Sequence, residues 1–136
     1  MQALHSRSTA PESDNLVAQE IARGGPSETT GLEASVLGAV DLKPYGETLT
    51  AANLRAREVV LSPGAKIAVH AHHSRPAIVY VLEGELVEHR SDSETPSVRR
   101  QGDTHFEGPG VVHWVQNASS TPARAFSVDI VPTASE

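Results

Sequence analysis

The sequence contains no cysteine, which rules out disulfides, zinc sites built from thiolates and cysteine nucleophiles. It also lacks a block of basic residues, since the densest candidate is the pair Arg99-Arg100 and the net charge of the 136 residues is −6. Affinity for nucleic-acid phosphates requires clustered lysine and arginine, so we expect no nucleic-acid partner. No apolar run is long enough for a signal peptide or a membrane span, and the expected compartment is therefore the cytoplasm.

The chain divides into an N-terminal segment and a single body. Residues 1–30 are rich in Ser, Thr, Glu, Gly and Pro, a composition that buries little surface and predicts a loose segment. Within it, residues 13–26 fit either a short capped helix or an extended arm. Over residues 31–136, short apolar segments alternate with turns such as 62–64 and 108–110. About nine short strands with turns every 8–12 residues predict an all-β antiparallel sandwich or barrel.

Three histidines are candidate metal ligands. His70 and His72 lie on one predicted strand, where residues two apart point to the same side at a distance of about 6.6 Å. His73 has the opposite parity and is expected to face away, whereas His113 lies in a later predicted strand. Imidazole suits iron, nickel, copper and zinc. A histidine pair alone, however, is equally compatible with an ordinary solvent-exposed strand.

The surroundings of these histidines resemble the two sequence motifs of the cupins. The residues that carry the resemblance are Pro63-Gly64, His70, His72 and Gly84 in the first motif, and Gly102-Asp103, Pro109-Gly110, His113 and Asn117 in the second. The resemblance covers residues 54–131. It implies a double-stranded β-helix, or jelly-roll barrel, with one divalent metal ion held inside by His70, His72 and His113.

One ligand of the cupin pattern is missing. The resemblance places a glutamate at Pro76 or Ala77, and counting back from Gly84 selects Ala77, which has no donor atom. Three neutral imidazoles leave the charge of the ion uncompensated, so we expect the centre to favour an anionic ligand. An octahedral ion with three facial histidines also keeps three open positions. Cupins with three histidines and no glutamate include thiol dioxygenases and enzymes that cleave β-diketones oxidatively.

A second pair of polar residues lies on the predicted strand 104–107. His105 and Glu107 share the face that cupins turn into the barrel. Glu107 is there a candidate metal ligand, an acceptor that orients a histidine, or a general base. A shift of one residue would instead place Phe106 inside and leave both polar side chains in solvent.

The resemblance also suggests a substrate pocket. Arg57 is a candidate partner for a substrate carboxylate, and the alternatives are that it covers the outer face or pairs with a neighbouring acid. The apolar wall is assigned to Val79, Val81, Leu86 and Val115.

Other residues are expected on the outside. Tyr80 and Trp114 face outward in this interpretation and would suit a homodimer interface, since cupins are commonly dimers, and ordinary packing is the alternative explanation. The segment 88–90 is interpreted as a solvated strand end. Asp129 is expected on the surface, because it alternates with apolar residues at 126, 128 and 130.

The sequence therefore predicts an Fe(II)-dependent dioxygenase acting on a small anionic or chelating substrate such as a thiol or β-diketone. Mn, Ni or Zn could occupy the same site. The first alternative is a redox-neutral lyase or isomerase with Glu107 or His105 as base. The second is a non-catalytic cupin that binds a small molecule.

Overall fold

The computed structural model describes residues 24–72 and 75–133, most of them in β-strands. The strands are β1 (Thr30–Asp41), β2 (Ala52–Ala71), β3 (Ala77–Glu83), β4 (Glu85–Arg90), β5 (Ser97–Arg100), β6 (Thr104–Glu107), β7 (Val112–Gln116) and β8 (Ala123–Pro132). Two short 3-10 turns, Lys43–Tyr45 and Glu47–Leu49, connect β1 to β2. Most of the predicted helix or arm at 13–26, and His73, lie outside the described residues. None of the described helical segments is long and apolar enough to cross a membrane.

The strands form a nearly closed antiparallel barrel, because β2 belongs to two layers. The strand order is β5-β4-β7-β2-β8-β3-β6, and β1 pairs with the free side of β2. Residues 52–61 of β2 pair with β8, whereas residues 66–71 pair with β7. This arrangement confirms the jelly-roll barrel that the sequence predicts.

The predicted turn at residues 62–64 is a bend within one strand. Gly64 has a φ of +83° there, a left-handed conformation that favours glycine. The Gly64 N–H donates to the Asn117 carbonyl at 2.8 Å, and the Asn117 N–H donates to the Ala65 carbonyl at 2.9 Å. Backbone pairing thus continues through the bend, so the segments predicted as two strands form the single strand β2.

The apolar core occupies the end of the barrel near this bend. Its buried residues are Leu61, Ala65, Val81, Leu86, Val115 and Ala123. The Asn117 amide, fully buried, fastens the adjoining loop by donating to the carbonyls of Leu61 at 3.0 Å and Thr121 at 2.8 Å. Apolar packing here leaves the other end of the barrel free for polar side chains.

The glycine that closes the first motif is required by close packing. Gly84 has a φ of +80°, and a Cβ at this position would lie 2.7 Å from the Pro122 carbonyl oxygen. Any other residue would combine backbone strain with a steric clash against backbone.

The residues of β8 that point into the barrel are the set that was expected on the surface. Asp129 is only 2% exposed and points inward with Ser127, whereas Phe126, Val128 and Ile130 are half-buried on the other face. Alternation shows only that the two sets lie on opposite faces. Which set points inward is decided by the polar neighbours that Asp129 finds inside the barrel.

The two aromatic residues considered for a dimer interface, Tyr80 and Trp114, are not neighbours. Tyr80 on β3 is 43% exposed, as expected, but Trp114 lies on β7 in the other layer. Its indole stacks on His89 with ring centroids 3.9 Å apart. Packing within the sheet therefore accounts for Trp114.

Candidate metal centre

Strand pairing brings the three candidate histidines together at the polar end of the barrel. His70 on β2 is the direct register partner of His113 on β7, and His72 follows the end of β2. The Nε2 atoms of His70 and His113 are 3.1 Å apart. One ligand nitrogen from each of the three residues lies within 4.8 Å of the other two. The sequence spacing and the register together produce a compact nitrogen cluster.

Each of these histidines has an oxygen acceptor at its other ring nitrogen. Nδ1 contacts the Ala68 carbonyl at 2.7 Å in His70, the Arg75 carbonyl at 2.9 Å in His72, and Glu88 Oε2 at 2.9 Å in His113. Carbonyl and carboxylate oxygens only accept, so the proton sits on Nδ1 and each neutral ring keeps a lone pair on Nε2.

The converging lone pairs fit a bound cation. Burial lowers the pKa of His70, and the nearby His113 and His72 add to this effect, which outweighs the opposing hydrogen bond to Ala68. His72 Nε2 is buried and has no well-formed hydrogen bond among the described residues. Lone pairs that face each other at 3.1 Å repel unless a positive charge lies between them. The donor set suits a divalent transition metal.

Glu88 is a buried partner of the centre, which corrects its interpretation as part of a solvated strand end. Its side chain is fully buried and contacts His113, while Arg99 donates to Oε1 at 2.8 Å and Arg90 to Oε2 at 3.0 Å. Burial would raise the pKa of Glu88, but the hydrogen bond from His113 and the nearby positive groups lower it to about 2. A carboxylate behind a ligating histidine fixes the ring orientation. Parity with Leu86 could have revealed its inward direction.

His105 and Glu107 both line the cavity and are nearly buried. Glu107 Oε1 lies 2.9 Å from His72 Nε2, and Oε2 lies 3.3 Å from His105 Nε2 and 3.8 Å from His113 Nε2. Burial would raise the pKa of Glu107, but its contact with His105 Nε2 holds the pKa below its usual range.

A carboxylate therefore lies beside the histidines despite the alanine at position 77. Ala77 on β3 is the direct register partner of Glu107 on β6. The expected centre with three uncompensated imidazoles is corrected accordingly, because an anionic side chain lies within 2.9 Å of His72 Nε2.

Arginines collect around Asp129 on one side of the cavity. Arg55 donates to both oxygens of Asp129, at 3.0 and 2.8 Å, and Arg75 donates to Oδ2 at 2.7 Å. Arg57 lines the cavity with its nearest nitrogen 3.9 Å from Asp129, and its buried Nε has no hydrogen-bond partner among the described residues. The predicted surface aspartate is thus the internal counterion of this cluster, and Arg57 keeps an unused donor.

The cavity has a volume of about 340 Å³ and combines these polar groups with an apolar wall. Val79, Leu86 and Val115 line it as the sequence suggests. Val81 is 1% exposed and belongs to the core cluster rather than to the cavity lining, which corrects its assignment to the wall.

Comparison with known proteins agrees with this architecture. A family model described as "Cupin domain" matches residues 57–129. A Thermotoga maritima protein named "Oxalate-binding protein" is 32% identical over 71 residues, which are 52% of this chain and 57% of that protein. The matched region thus spans little more than half the length of that relative.

Solved structures show the same fold. The crystal structure of a predicted oxalate decarboxylase from Thermotoga maritima gives a TM-score of 0.60 at 24% identity, over 84% of this chain and 96% of that one. An RmlC-like cupin from Shewanella frigidimarina gives 0.57 at 24% identity, over 83% and 87% of the two chains. At these identities the likeness concerns the fold alone.

Proposed function

Because this chain belongs to the cupin family, we propose that it binds one divalent transition metal ion through His70, His72 and His113. We also propose that it takes up a small anion in the adjoining cavity. The observation that carries the proposal is the convergence of three Nε2 lone pairs, each fixed by an oxygen acceptor at Nδ1. The histidines line the cavity, so an exogenous ligand reaches the metal from that side.

Arg57 supports an anionic ligand. Its Nε is buried without an acceptor among the described residues, and its guanidinium lines the same cavity as the histidines. A buried charged donor without a partner is unfavourable, and a carboxylate or enolate oxygen would satisfy it. The relative named for oxalate binding supports the same class of small chelating anion.

The proposed reaction is oxidative, an Fe(II)-dependent dioxygenation of a small anionic or chelating substrate. Fe(II) at such a centre supplies coordination positions for substrate and O₂ together. The chain's contribution is to hold the histidines on one side, to pair Arg57 with the anion and to exclude water with Val79, Leu86 and Val115.

The alternative is a redox-neutral lyase or isomerase with Mn, Ni or Zn, and it needs a general base. Glu107 reaches the cavity, which favours this role. Its two carboxylate oxygens are, however, directed at His72 Nε2 at 2.9 Å and His105 Nε2 at 3.3 Å, so neither is placed to take a proton from a substrate. The oxidative proposal does not require a base and is preferred for this reason.

Metal analysis and oxygen uptake test the proposal. Protein purified without an affinity tag should contain a transition metal, or gain thermal stability when Fe(II), Mn(II), Ni(II) or Zn(II) is added. After anaerobic loading with Fe(II), oxygen uptake on a panel of thiols, β-diketones and small carboxylates separates oxidative from redox-neutral chemistry. Absence of any metal binding would refute both the dioxygenase and the redox-neutral hypothesis. Metal binding without oxygen uptake would favour the redox-neutral lyase or isomerase.

The homodimer stays a prediction. Exposed apolar side chains are available at Val36 and Leu37 on β1, and at Ile78 and Phe106 on the outer face of β3 and β6. Analytical ultracentrifugation of the full chain decides between a monomer and a dimer.

A further inference from the structure

We propose that Glu107 is a fourth protein ligand of the metal and supplies, from the neighbouring strand, the carboxylate that Ala77 cannot provide. This inference rests on the proposed metal-binding function. A fourth protein ligand changes the ligand set of the metal and the number of coordination positions left for substrate.

Strand register places the two side chains in the same space. Ala77 and Glu107 are direct partners across β3 and β6, and Val79 and His105 form the next pair on the same face. Directly opposed residues have Cβ atoms about 5 Å apart. Ala77 is 6% exposed and carries only a methyl group, so it leaves room for the longer side chain opposite. A carboxylate from position 107 therefore reaches the region that a glutamate at position 77 would occupy.

The distances between donor atoms agree with shared coordination. Ligands about 2.1 Å from an octahedral ion lie about 3.0 Å from their neighbours. The separation from Glu107 Oε1 to His72 Nε2 is 2.9 Å, and that from His70 Nε2 to His113 Nε2 is 3.1 Å. His72 directs its proton at the Arg75 carbonyl, so its Nε2 lone pair faces a carboxylate oxygen without a well-formed hydrogen bond. A cation between these two acceptors removes the repulsion.

The charges around Glu107 also favour its coordination to a metal ion. The Glu107 side chain is 9% exposed, and its ion-pair contacts among the described residues are all with histidines, namely His72, His105 and His113. A buried carboxylate is stable when it is paired with a cation or coordinates a metal. The imidazoles of His72 and His113 stay neutral when they bind a metal, so they supply no positive charge, and the ion adds the charge that compensates Glu107 on the side of these ligands.

His105 acts as a positioning residue in this arrangement. Its Nε2 lies 3.3 Å from Glu107 Oε2, while Glu107 Oε1 is directed at His72. One carboxylate oxygen is thus held by His105, and the other is available to the metal. On the opposite side of the ring, His105 Nδ1 lies 3.5 Å from Glu88 Oε1, which ties the pair to the carboxylate behind His113.

Four protein ligands reduce the number of coordination positions that are left for substrate and O₂. A six-coordinate ion keeps two positions, enough for one bidentate anion or for one monodentate anion and O₂. While Glu107 stays coordinated, the substrate of the proposed oxygenation therefore binds the ion through one atom, and a chelating anion fits only the alternative without O₂. The ligand also lowers the net charge of the centre by one, so a singly charged anion suffices to neutralise it.

Moving the carboxylate between strands tests the inference. Metal-free full-length protein is compared with Glu107→Ala, Glu107→Gln and the double variant Ala77→Glu/Glu107→Ala. Glu33→Ala removes an exposed carboxylate on β1 and serves as the charge-matched control. Each protein is titrated with Co(II), and both the dissociation constant and the d–d absorption bands are recorded. Circular dichroism of the metal-free proteins verifies folding.

We expect Glu107→Ala to weaken Co(II) binding by about tenfold or more and to change the d–d bands. Glu107→Gln should show a smaller change in the same direction, and it provides the measurement if the alanine variant does not fold. The double variant should regain most of the lost affinity, while Glu33→Ala should match the wild type.

Wild-type affinity and an unchanged spectrum in Glu107→Ala and Glu107→Gln would overturn the ligand assignment while leaving the metal function intact. Failure of the wild type itself to bind Co(II), Fe(II), Mn(II), Ni(II) or Zn(II) would instead refute the proposed function. The two failures are therefore distinguishable.

Discussion

Replacement of Glu88 by glutamine removes a fully buried negative charge while nearly preserving the volume of the side chain. Glu88 contacts His113 Nδ1 at 2.9 Å and accepts hydrogen bonds from Arg99 and Arg90 on its two oxygens. A glutamine amide offers one acceptor oxygen, and its NH₂ group would face a positively charged or proton-donating neighbour. The substitution therefore perturbs both the stability of the barrel and the orientation of His113.

The size of the expected loss in stability follows from the surroundings of the Glu88 carboxylate. The pKa of Glu88 is lowered from 4.5 to about 2, a difference that favours the ionised group by about 3 kcal/mol. The side chains of Arg99 and Arg90 are 26% and 16% exposed, so water partly solvates them once the charge is removed. We expect Glu88→Gln to lower the free energy of unfolding by about 2 kcal/mol. We also expect it to weaken metal binding by about tenfold.

Urea unfolding of the metal-free protein and a competitive metal titration measure these two effects. Glu85→Gln on the same strand is the matched control, because its side chain is 42% exposed and its contact with Arg100 is 3.6 Å long. The control should change the free energy of unfolding by less than about 0.5 kcal/mol. Equal unfolding midpoints and equal metal affinities for the two variants would refute the role assigned to Glu88.

Two further substitutions test the packing around the site. Gly84→Ala should lower the free energy of unfolding by about 3 kcal/mol through strain and a clash with the Pro122 carbonyl. Gly102→Ala is the control, because Gly102 has a φ of +90° and open space around the position of a Cβ, so the substitution should cause backbone strain without a clash. Equal urea midpoints for the two variants would contradict the clash at Gly84. Asp129→Asn should cost about 2 kcal/mol by depriving two arginines of their buried counterion. Its thermal unfolding is compared with that of Asp92→Asn, whose side chain is half exposed, and equal losses would contradict the internal role of Asp129.

Local patterns together with the resemblance to the cupin motifs predicted the barrel and many of the residues that point into it. The spacing of His70 and His72 places both on one side of a strand, and the two motifs predict the jelly-roll barrel that the structure shows. The parity of the segment 104–107 likewise turns His105 and Glu107 toward the cavity. The jelly-roll barrel and the inward direction of these faces came from the resemblance to the cupin motifs, whereas strand alternation showed only which residues share a face.

Alternation did not predict which residues point into the barrel where either face of a strand could be the buried one. On β8 the apolar residues suggested the wrong inner face, because the interior near the site is polar and Asp129 pairs there with Arg55 and Arg75. Glu88 was likewise misjudged, since a charged residue is expected in solvent unless a partner is known. Parity with Leu86 indicates its inward direction, but its partners Arg99 and His113 come from other strands and are not visible in the local sequence.

The sequence by itself determined the kind of fold, the three imidazoles and the alanine at position 77. Only the tertiary structure decided that Glu107 lies directly across from that alanine, with its carboxylate against His72. The reason is physical: side-chain alternation is a property of each strand, whereas the register between strands is set by packing and hydrogen bonding across the whole barrel. A ligand missing from one strand can therefore be supplied by its neighbour, and only the pairing of the two strands shows it.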